Sequence, residues 1–163
     1  MVPIQLRGRI AGVSAFVLSL ITVACGGGSP TAPGGEDFQG VWQGQWQRTS
    51  CSETGGAVGV ACNVTPTTGA IRLTLTQTGS TVQGNVEVAS FIISASGSVS
   101  AGGSLTLTGS AHLQSATQTL SNWNTTRSGN SMTGAFTLTV TADNPALGTQ
   151  VVVLTLQNVT KTS

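Results

Sequence analysis

Apolar and polar side chains alternate one by one through most of the chain beyond residue 37. From Phe38 to Arg48, one face carries Phe38, Gly40, Trp42, Gly44, Trp46 and Arg48, and the other carries Gln39, Val41, Gln43, Gln45 and Gln47. A strand has a side-chain period of two, so this pattern predicts a half-buried strand with both tryptophans on one face. Ile71, Leu73 and Leu75 then oppose Arg72, Thr74 and Thr76, and Val82, Gly84, Val86 and Val88 oppose Thr81, Gln83, Asn85 and Glu87. The alternation continues through Phe91, Ile93, Ala95, Gly97 and Val99, and through Leu105, Leu107, Gly109, Ala111 and Leu113. Met132, Gly134, Phe136, Leu138 and Val140 form a further run, and Val152, Leu154 and Leu156 mark the last. Leu120 and Trp123 have opposite parity, and a β-bulge between them reconciles the two.

Turn chemistry separates these runs. Thr78-Gly79-Ser80, Ala101-Gly102-Gly103-Ser104 and Ser128-Gly129-Asn130-Ser131 are tight-turn sequences between strands. They begin an imperfect repeat, Gly79-Ser-Thr-Val-Gln-Gly84, Gly103-Ser-Leu-Thr-Leu-Thr-Gly109 and Gly129-Asn-Ser-Met-Thr-Gly134. No useful helical period occurs after the N-terminal segment. The expected fold is all-β, an antiparallel up-and-down barrel of about eight strands, with a two-sheet sandwich as the alternative. Glycines at 44, 84, 109 and 134 suit the bends that closure needs.

Alternation does not say which face points inward, since an outer-membrane barrel turns its apolar face to lipid. The chain has no Tyr and only three Trp, too few for two aromatic girdles, and it ends Lys161-Thr-Ser163 rather than on an aromatic residue. The expected barrel is therefore apolar inside.

The N-terminus has a different composition. Arg7 and Arg9 precede an apolar run from Ile10 to Val23, followed by Ala24, Cys25 and Gly26-Gly27-Gly28-Ser29-Pro30. A basic start, an apolar stretch and a small residue at the cut are the order of a secretory signal. Thr22-Val23-Ala24-Cys25 resembles the lipobox of bacterial lipoproteins, departing from it at Thr22, where the family usually has Leu. The resemblance implies lipidation of Cys25 and a lipid-anchored place in the bacterial cell envelope, with the membrane as partner. More than one acyl chain gives stable attachment. An ordinary signal peptide cut near Ala24, with Cys25 incidental, is the other reading. The chain then divides into a signal at 1–24, lipidated Cys25 with a Gly/Ser/Pro tether at 25–35, and a barrel domain at 36–163. Ten flexible tether residues span roughly 17 Å.

Lipidation also accounts for an odd cysteine count. Of the three cysteines, Cys25 would carry lipid, leaving Cys51 and Cys62 for a disulfide in an oxidising compartment. A metal site is the rival reading, but it needs more ligands than His112, the single histidine, supplies.

The barrel domain is nearly neutral. Arg48, Arg72, Arg127 and Lys161 stand against Glu36, Asp37, Glu53, Glu87 and Asp143. No basic face exists for nucleic acid. Enzyme chemistry lacks its parts: acid–base catalysis needs titratable groups held together, and no serine lies in a Gly-X-Ser-X-Gly motif. Glu36 and Asp37 read as a solvated pair and His112 as an exposed structural residue. No cofactor or metal is expected. Asn63-Val-Thr65, Asn124-Thr-Thr126 and Asn158-Val-Thr160 are sequons by coincidence of an Asn- and Thr-rich surface.

Gly40-Val-Trp42 on the first strand, followed by an antiparallel meander, resembles the calycin group of lipocalins and avidins. In lipocalins the Trp of a Gly-X-Trp motif packs at the closed end against a basic residue after the last strand. Trp42 matches the first role and Lys161 the second, although lipocalins more often use Arg. Gly44-Gln-Trp46 repeats the motif, and the other lipocalin motifs are absent. The resemblance implies a fold and suggests binding.

Two non-enzymatic functions follow. One is a barrel holding a small apolar ligand, with Trp46, Trp123, Phe91 and Phe136 lining a pocket made roomy by inward glycines, and Arg48 as a polar handle at its mouth. The same residues could instead fill a small barrel solidly. The other is a surface interaction or enzyme-inhibitor module that meets an envelope protein through the Cys51–Cys62 loop.

Overall fold

A computed structural model describes residues 36–57, 59 and 61–163. The signal, Cys25 and the tether lie outside the described residues. Eight strands run β1 (Gly40–Glu53), β2 (Thr68–Thr78), β3 (Thr81–Val88), β4 (Phe91–Val99), β5 (Ser104–Leu113), β6 (Ala116–Ser128), β7 (Ser131–Ala142) and β8 (Thr149–Lys161). Each pairs antiparallel with its sequence neighbour, and β8 pairs with β1, so the sheet closes into an up-and-down barrel and not a sandwich. A one-turn helix, α1 (Ala61–Val64), lies in the β1–β2 connection.

The apolar face points inward. Trp42, Trp46, Leu73, Val86, Ile93 and Leu105 are among the buried core residues, while Gln43, Gln45 and Gln47 are exposed. The outward positions of β3 to β7 carry mainly Ser, Thr, Asn and Gln, the reverse of a lipid-facing barrel.

The parity conflict in β6 is resolved by a shift of register against β7 between Ser121 and Asn124. Asn122 takes a positive φ of 50° there, a conformation asparagine tolerates well. Leu120 and Trp123 are consequently both buried. The same device recurs in β8, where Asn158 has φ 53° and Leu156 and Val159 both turn inward. That second flip places Lys161 on the inner parity. Leu113, expected inside, lies instead at the exposed end of β5.

The inward glycines do not make room. A Cβ at Gly84 would collide with the Thr74 carbonyl oxygen, and one at Gly109 with that of Ser94. The space left by the missing side chains is occupied by the neighbouring strand's backbone, so these glycines serve curvature.

The three glycine turns of the repeat lie at one end of the barrel, which residues 36–39 close. Phe38 is fully buried, and its N–H donates to Gln77 Oε1 at 2.8 Å. Gln77 Nε2 donates to the carbonyls of Glu36 and Gly79. Trp42 Nε1 donates to the Phe38 carbonyl at 2.8 Å. Arg127 and Lys161 each stand 5.8 Å from the centre of a Trp42 ring. Arg127 also donates to the Asp37 carbonyl, and Lys161 Nζ lies 3.4 Å from Asp37 Oδ2. Glu36 and Asp37 thus belong to the plug rather than forming a merely solvated pair.

Candidate functional site

The opposite end is open. It carries the β1–β2 connection, the short β3–β4 and β5–β6 turns and the β7–β8 connection. Its longest connection is stapled by the Cys51–Cys62 disulfide, which joins the end of β1 to α1. Arg48 donates to the carbonyls of Cys62 (2.7 Å) and Thr65 (3.0 Å). Glu53 accepts from the N–H groups of Gly59 and Cys62. Gln150 Nε2 donates to Thr65 Oγ1 at 2.6 Å. These bonds fix the glycine-rich connection at the mouth.

Beneath it lies a pocket of about 410 Å³. Trp46, Val88, Phe91, Leu138, Val152 and Leu154 form much of its wall, and Val64, Thr65 and Pro66 of the stapled connection border it from above. No lining residue is charged. A second recess of about 520 Å³ adjoins it, sharing Ser90, Phe91 and Val140 and bounded by Gln118 and the β5–β6 turn.

The sequence-predicted residues divide here. Trp46 and Phe91 line the pocket. Trp123 and Phe136 stack with ring centres 4.7 Å apart and are buried deeper, outside its lining. They fill the section between pocket and plug, so this small barrel is packed below and recessed above. Arg48 is not among the residues that line the pocket, and its Nη1 donates to the carbonyls of Cys62 and Thr65 in the connection. His112 is exposed and contacts Asp143 at 3.0 Å on the rim.

Composition alone did not mark the glutamines. Gln77, Gln118 and Gln150 share the inward parity of Leu75, Leu120 and Val152, and that register is the signal that finds them. In the ladder, Val140 of β7 pairs with Gln118 on one side and Gln150 on the other. Gln77 holds the plug and Gln150 holds the connection, but Gln118 has no side-chain partner among the described residues, and its buried Oε1 is unpaired. Trp46 Nε1 is the other buried polar side-chain atom without a partner there.

No protein-family model matches the chain, and no match was found among curated proteins or among solved structures.

Proposed function

We propose that this chain is a bacterial envelope lipoprotein, anchored through Cys25, whose calycin-type barrel binds a small apolar molecule without transforming it. The observation that carries the reading is the uncharged pocket at the open end. Its volume, about 410 Å³, lies in the range of roughly 300–1,000 Å³ common for small-molecule sites, which are mainly apolar with a few polar groups. Glu36 enters at the plugged end, so a tether from Cys25 joins the barrel opposite its mouth. Trp42 beneath two cationic side chains supports the calycin assignment.

The neutral fluorophore N-phenyl-1-naphthylamine should bind saturably and accept energy from tryptophan. All three tryptophans lie in the barrel, at 42, 46 and 123. Val140→Trp, which fills the mouth, should weaken binding about tenfold or more with little change in stability, a difference of about 1.4 kcal/mol. Undiminished binding by a folded Val140→Trp protein rejects the pocket. The anchor has its own test: Cys25→Ala should release the protein from the membrane fraction or block its processing. Processed Cys25→Ala protein that still sediments with membranes counts against lipidation.

One observation favours the interaction module as a second reading. The large apolar side chains exposed among the described residues, Val64, Ile92, Leu113 and Leu147, all sit at the open end, with Val64 74% exposed. An envelope protein docking on this rim would cover them, and cutting the connection between Cys51 and Cys62 would abolish its capture.

A further inference from the structure

The most informative group at the open end is Gln118. It is an inward carboxamide, 3% exposed, with its Oε1 buried and unpaired among the described residues. Native interiors rarely leave such a group unsatisfied, so each case calls for an explanation. The inward glutamines Gln77 and Gln150 each have a partner. Gln77 bonds the plug, and Gln150, one ladder step beyond Val140, bonds the stapled connection. Gln118 borders the recess that adjoins the apolar pocket and shares Ser90, Phe91 and Val140 with it.

Resting on the pocket reading above, we propose that the ligand is a neutral amphiphile, an aliphatic body bearing a primary amide or hydroxyl head, with the body against Trp46, Leu138 and Leu154 and the head on Gln118. The apolar wall sets the body. The carboxamide sets the head: it offers an acceptor and, turned by half a rotation, a donor. An amide or alcohol supplies the complement of either. A carboxylate does not fit. Neither recess is lined by Lys, Arg or His, and Arg48 is bound to the Cys62 and Thr65 carbonyls. An anionic head would be buried with no cation, at a large desolvation cost.

The test is competition on the full chain. N-phenyl-1-naphthylamine is bound first, followed by energy transfer from tryptophan, and displaced with dodecanamide, dodecan-1-ol, 1-dodecene or dodecanoate at pH 8. Dodecanamide and dodecanol should displace the probe at concentrations about tenfold or more below dodecanoate and 1-dodecene. Gln118→Leu should abolish the advantage of the amide over the alkene while leaving the alkene's own affinity within about threefold. Gln118→Met serves if the leucine variant does not fold, and the wild-type rank order tests the head group without any variant.

Dodecanoate equal to or tighter than dodecanamide overturns the neutral-head assignment, as does an amide affinity untouched by loss of the carboxamide. In both cases the pocket itself stands, because the probe still binds and is displaced. Failure of the probe to bind rejects the pocket and this ligand together.

Discussion

Trp42→Ala is expected to destabilise the protein by about 3–5 kcal/mol, the range for truncating a large buried aromatic residue. Trp42 is 0% exposed and joins the plug to the wall. Its ring packs on Phe38 with centroids 6.3 Å apart, its N–H satisfies the Phe38 carbonyl, and Arg127 and Lys161 approach it from β6 and β8. Removing the indole opens a cavity, leaves a buried carbonyl without its donor and deprives two cations of an aromatic face. The order of variants separates these contributions. Trp42→Phe keeps a ring and loses the donor, so it should cost less than the alanine variant. Gln45→Ala, next to Trp46 along β1 but on the exposed face, should change stability by no more than about 0.5 kcal/mol. Urea unfolding measures all three. A loss below about 1 kcal/mol for Trp42→Ala would mean that the plugged end is not where the barrel is held shut.

Side-chain parity made the barrel legible, because a two-residue period fixes the face of every residue in an unbroken strand. It therefore placed Trp42, Trp46, Leu73, Ile93 and Phe136 correctly, and the conflict between Leu120 and Trp123 announced a bulge. The flip in β8 had the same signature in plain view: Leu156-Gln157-Asn158-Val159 repeats the spacing of Leu120-Ser121-Asn122-Trp123, with an asparagine at positive φ in each. Parity does not give height along the barrel. Trp46 and Trp123 are both inward, yet one borders the pocket and the other lies in the packed section, and only strand register separates them. Nor does it show what occupies the space beside a glycine, which here is the backbone of the next strand. Arg127 and Lys161, distant in sequence, meet at Trp42 only because the barrel closes. Arg48 follows the inner parity of β1, but at its height the nearest acceptors are carbonyls of the stapled connection. The role of Gln118 is hidden in the sequence for a related reason: its polarity matters only because no described residue beside it in the folded barrel pairs with its Oε1.

Reducing the Cys51–Cys62 disulfide is expected to lower stability by up to about 3 kcal/mol, the loop-closure value for a short bridge in the chain-entropy model. The bridge spans a sequence separation of 11 and ties α1 to the end of β1. The described residues between 54 and 67 contribute no strand, so far-UV spectra should keep their β character. The native connection has further restraints in Arg48, Glu53 and Gln150, which hold Cys62, Gly59 and Thr65. These bonds should keep the reduced connection near the mouth, but less firmly. Val64, Thr65 and Pro66 border the pocket, so probe affinity should fall on reduction even where the barrel remains folded. The paired variant Cys51→Ser/Cys62→Ser should reproduce both losses without reductant. The measurements are urea unfolding and probe titration with and without reductant, preceded by thiol titration of freshly purified protein. Cys51 and Cys62 should show no free thiol before reduction; two titratable thiols at these positions in untreated protein would contradict the bridge. Unchanged probe affinity after confirmed reduction would leave the bridge intact as a structural element and remove the stapled connection from the binding site.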